Sequence, residues 1–127
     1  MLRLAALVLA TAPILVAPPT ARIGATVTAK ASGLKPGAYA LTLVWDKSPG
    51  LHGACVARLA TARAVAGHVR LSGRIPRKLT CWENDSVRLG VVGTAPGPYH
   101  LIVAVPDGPS GFDVRYSFVR RAIRITR

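Results

Sequence analysis

Short segments of alternating apolar and polar residues, each ended by Gly, Pro, Asn or Asp, recur along residues 22–127. A period of two is the strand period, because successive side chains leave a pleated backbone on opposite faces. A chain punctuated this way is expected to bury its apolar faces in an antiparallel sandwich or barrel. Ile23, Ala25, Val27 and Ala29 alternate in "IGATVTAKA". "SGLKPG" then turns the chain, with Pro36 fixing φ and Gly37 free to take a positive one. Tyr39, Leu41, Leu43 and Trp45 share one face of "AYALTLVW". Further strands are expected over 54–60, 67–75, 86–92, 99–105 and, as one long or two short strands, 113–126. In these, Val69 and Leu71 alternate with His68, Arg70 and Ser72, while Val87, Leu89 and Val91 alternate with Arg88. "YHLIVAV" reads as a buried strand, and the alanine-rich "ACVARLATARAVA" admits a helix as well as a strand.

The first residues carry a different pattern. Arg3 precedes an apolar run from Leu4 to Ala17 that only Thr11 and Pro13 interrupt, and small residues and prolines follow. That order of charge, apolar run and small residues matches a secretory signal peptide, and the run is short for a transmembrane helix; a buried first strand or a retained membrane anchor is the alternative. Residues 1–21 are therefore expected to be a leader, cleaved somewhere between 12 and 21, and residues 22–127 a single domain. No later segment is long and apolar enough to span a bilayer as a helix. The expected location is secreted or cell envelope.

Seven or eight strands over roughly a hundred residues is close to the immunoglobulin-like norm. "SGLKPGAYALTLVW" resembles the Gly-Leu-x-Pro-Gly turn and following strand of bacterial secreted immunoglobulin-like domains. The short sandwich with a cysteine pair also resembles, distantly, the neocarzinostatin-type apoprotein fold. The resemblance implies an all-β fold, an immunoglobulin-like antiparallel β-sandwich. Apoproteins of that type carry four cysteines and are acidic, whereas this chain has two and is basic. No chromophore-binding residue is carried over from them.

"TCWENDS" gathers Cys81, Trp82, Glu83 and Asp85 into seven residues. In an exported protein with two cysteines, Cys55 and Cys81 are most simply a disulfide. Their spacing does not fit a CxxC redox or zinc motif, and His52, His68 and His100 are too scattered to supply a base by sequence. Trp45 is the better candidate to pack against the cystine, since Trp82 adjoins Cys81 and faces the other way. Glu83, Asn84 and Asp85 offer oxygens to calcium but lack a full ligand set, and a polar turn explains them. GxSxG, HExxH and P-loop patterns are absent, so no enzyme, metal or cofactor is expected.

The charge balance supplies the functional lead: seventeen basic residues stand against five acids. Such a field attracts polyanions in general and does not choose among them; a GC-rich coding sequence can also produce it. "DVRYSFVRRAIRITR" sets Arg115, Arg120, Arg121 and Arg124 among aromatic and branched residues. These four form a candidate anion-binding strip, which Arg70 or Arg88 would extend if their strands are neighbours. Arg120-Arg121 breaks the alternation and suggests a bulge or a strand exchange between sheets. The alternative is a solvated face whose charges discourage edge pairing. The expected function is a non-enzymatic interaction module with a basic surface, its partner an anionic envelope polymer or another protein. Sequence-specific nucleic-acid binding is not expected. A small-molecule carrier with a cleft between the sheets is the alternative.

Overall fold

The computed structural model describes residues 12–47, 54–83, 87–106 and 117–127. These residues form strands β1 (Ile14–Val16), β2 (Thr20–Arg22), β3 (Thr26–Ser32), β4 (Ala38–Trp45) and β5 (Ala54–Arg63). The chain continues through β6 (Val69–Arg74), β7 (Lys78–Trp82), β8 (Arg88–Gly93), β9 (Gly97–Ala104) and β10 (Ser117–Thr126). One sheet has three strands in the order β1-β3-β6, the other seven in the order β2-β10-β9-β4-β5-β7-β8. Neighbours run antiparallel except β2, which pairs parallel to β10. The fold is an all-β sandwich of ten strands among the described residues, where sequence periodicity led to an expectation of seven or eight.

The additional strands are β1, β2 and β7, and each escaped for a local reason. Three residues are too few to show a period of two, and β1 and β2 lie in the apolar, proline-containing segment that reads as the end of a leader. Leu15 nevertheless faces Ala31 across the β1–β3 ladder and is 2% exposed. Ala17-Pro18-Pro19 carries the chain from one sheet to the other, where a residue without an N–H loses no ladder bond. β7 holds Leu79 and Cys81 inward, a period the turn residues after it obscure.

The core lies between the sheets. Val27, Ala29 and Leu71 from the smaller sheet meet Leu41, Leu43, Leu101 and Val103 from the larger, all at most 1% exposed. Ile123 and Ile125 of β10 join them. The apolar face expected for β4 is this inner face. Ala40 and Thr42 on its opposite face are also buried, as are Ile102 and Ala104 of β9. These two central strands are buried on both faces, which is why β9 reads as a continuous apolar run.

The alanine-rich segment is a strand. β5 is hydrogen-bonded to β4 along its length, and that ladder overrides alanine's helix preference. Leu41 faces Ala60 but Thr42 faces Arg58, so Leu59 is an extra residue in β5. Such a bulge bends a strand. Here it brings β5 onto β6 of the other sheet, where the absent side chain of Gly73 makes room for the Leu59 backbone. A two-residue turn then joins the strands, with Val65 and His68 exchanging backbone hydrogen bonds of 2.7 and 3.0 Å. Both central residues have positive φ, 54° at Ala66 and 82° at Gly67.

β8 departs from expectation. Val87, Leu89 and Val91 are exposed, and Val92 packs on the core instead. The pairing with β7 sets Val92 opposite the buried Leu79 and Val91 opposite Thr80, so Val91 and Leu89 take the outer face. The register shifts between Cys81 and Trp82, which leaves Leu89 unopposed.

Candidate anion-binding surface

Cys55 and Cys81 are bonded, and they sit directly opposite each other on β5 and β7. Both are buried, and the cystine ties neighbours within one sheet. The expected disulfide is therefore present. It leaves no thiol for catalysis at either position. Trp45 packs against the core, its ring stacked near that of Tyr99 with centroids 6.4 Å apart. Asn84 and Asp85, expected in a polar turn, lie outside the described residues. Among the described residues, no group of three or more His, Cys, Asp or Glu side chains is placed to hold a metal ion.

Fifteen of the seventeen basic residues lie among the described residues, but only Asp46 and Glu83 of the five acids. Asp46 is engaged, with its Oδ1 at 2.7 Å from His100 Nδ1. The described surface is thus strongly cationic, and the question becomes which cations stand together.

β10 divides the candidate strip. Ile123 and Ile125 point into the core, so Arg120, Ala122 and Arg124 leave by the outer face. Arg121 has the inward parity and ends at the rim, where its Nη1 donates to the Leu15 carbonyl of β1 at 3.4 Å. Arg115 lies outside the described residues. The register shift expected at Arg120-Arg121 falls earlier, between Ser117 and Val119. Beside Arg124 is an open hollow of about 300 Å³ that also includes Asp46, Pro98 and Ala122, so an acid shares its lining. Neither extension is available, because β10 neighbours β2 and β9. Arg88 is on the far edge strand of the same sheet and Arg70 is in the other sheet.

A second group of cations gathers on the outer face of the three-stranded sheet. Lys30 of β3 lies directly opposite Arg70 of β6, and Thr26 opposite Arg74. The sequence contains the signal, since β3 and β6 each place a base on their polar face. Only the pairing of strands 40 residues apart at Lys30 and Arg70 makes them one site. Between the sheets, the space is filled by the buried leucines and valines of the core. No family model, curated protein or solved structure matches the chain.

Proposed function

We propose that this protein is an exported, non-enzymatic β-sandwich module that binds an anionic partner at the cell envelope or outside the cell. The observation that carries the reading is the imbalance of seventeen basic residues against five acids in one small protein. A field of one sign concentrates counter-charged partners and speeds their encounter. The buried Cys55–Cys81 disulfide favours an oxidising compartment. The immunoglobulin-like character of the sandwich is supported by Tyr99, whose hydroxyl donates at 2.7 Å to the carbonyl of Ala95, a corner that such sandwiches share.

Titration with soluble polyphosphate over a series of salt concentrations tests the reading. Binding should weaken as salt rises, because each neutralised charge releases a counterion. Absence of binding at low salt would overturn it.

A further inference from the structure

We infer that the outer face of the three-stranded sheet docks on an anionic bilayer, with a lipid phosphate seated between Lys30 and Arg70. The inference rests on the reading of the protein as an anion-binding module and names the partner and the face.

The face is built by register. Val16, Lys30 and Arg70 form one cross-strand row over β1, β3 and β6, and all three are exposed. Like charges directly opposite on a sheet repel, so an anion placed between Lys30 and Arg70 relieves the pair. Arg63, His68 and Ser32 complete the lining of an open hollow of about 580 Å³ at this end of the sheet. Arginine grips phosphate through two parallel N–H donors, and lysine acts beside it as a point charge. Asp46 and Glu83, the described acids, both follow strands of the other sheet, so the described residues of this face include no acid.

Aliphatic residues around the hollow decide between a membrane and a soluble polymer. Val65 at the β5–β6 turn is 74% exposed, Val16 is 59% and Ile14 on the same face of β1 is 53%. Water-exposed branched side chains gain nothing from a hydrated polyanion. They gain from insertion at the boundary of head groups and acyl chains, while the neighbouring bases stay at phosphate level. A single-stranded nucleic acid would instead be met by aromatic stacking platforms. Apart from the imidazole of His68, the described residues of this face include none.

Co-sedimentation of the full chain with vesicles tests this, comparing phosphatidylcholine alone with equal parts phosphatidylcholine and phosphatidylglycerol. The wild type should bind the anionic vesicles only. K30E/R70E should lower partitioning about tenfold or more. R120E/R124E, with the same change in net charge, should lower it by about threefold or less through the general field alone. V16S/V65S should lower it several-fold and leave the salt dependence unchanged. Thermal melts establish that each variant is folded; these side chains are all exposed. Equal losses for the two arginine-containing pairs would overturn the localised site. Unchanged partitioning of V16S/V65S, with K30E/R70E losing polyphosphate binding equally, would overturn the bilayer as partner. Either outcome leaves the broader anion-binding reading standing, which fails if the wild type does not bind polyphosphate at low salt.

Discussion

Tyr39 and Tyr99 close the same corner twice. Each donates its hydroxyl at 2.7 Å to the carbonyl of the residue four positions earlier, Lys35 and Ala95 respectively. Each follows a Pro-Gly pair whose glycine has positive φ, 145° at Gly37 and 137° at Gly97. The two corners feed β4 and β9, adjacent strands at the centre of the larger sheet. Both rings are buried, so each hydroxyl needs the acceptor its own turn provides. Tyr39→Phe and Tyr99→Phe should each cost about 1 kcal/mol, read as a lower urea midpoint at unchanged slope.

Tyr99 also gives the fold an alkaline limit. Burial holds its hydroxyl protonated above the ordinary value of 10.0, against a smaller downward pull from the hydrogen bond to Ala95. The unfolded chain ionises first and binds fewer protons, so this contribution is intact below the ordinary value and is lost as pH climbs above it. Stability measured across that range should fall, and Tyr99→Phe should flatten the fall. An equally steep fall in the variant would refute the assignment.

Gly73 of β6 lies directly against the backbone of Leu59 in β5. A Cβ there would lie 2.8 Å from both the carbonyl carbon and the Cβ of Leu59, and backbone cannot move aside as a side-chain tip can. Gly73→Ala should destabilise by about 1–3 kcal/mol or more, measured by thermal unfolding. Gly93→Ala meets open space and is the matched control in a strand.

Ala66 occupies a left-handed position at φ 54° in the β5–β6 turn. Such a conformation costs a Cβ-bearing residue about 1–2 kcal/mol, and asparagine tolerates it best among them. Ala66→Asn should therefore raise stability by about 0.5–1 kcal/mol. A lower melting temperature would contradict the turn geometry.

The first strand belongs to the fold. Leu15 is buried against Ala31, and Arg121 donates to its carbonyl. Leu15→Ala should cost about 2–4 kcal/mol. A chain that starts at Pro18 should lose at least as much, and N-terminal sequencing of exported protein should find a start ahead of Ile14. A mature end at Pro18 or Arg22 with undiminished stability would show β1 to be dispensable.

The Cys55–Cys81 bond closes a sequence separation of 26 residues. Replacing both with alanine should lower stability by about 2–5 kcal/mol. Polyphosphate binding should persist, because neither cysteine is on the charged surface. Loss of binding in a folded double variant would give the cystine a role beyond stapling.

The sequence by itself determined the all-β class, the turn at Pro36-Gly37 and the inward set Tyr39, Leu41 and Leu43, because a period of two is local chemistry written into neighbouring residues. It determined the cysteine pairing too, since a chain with two cysteines offers each a single intramolecular partner. It could not determine register. The faces of β8 follow from its pairing with β7, which sets Val92 opposite the buried Leu79 and Val91 opposite Thr80, and β1 was hidden in a run that reads as leader. Only tertiary pairing put Lys30 opposite Arg70 and split Arg121 from Arg120 and Arg124. Charge is countable along the chain, but the distance between charges is set by which strands meet, and those contacts are non-local.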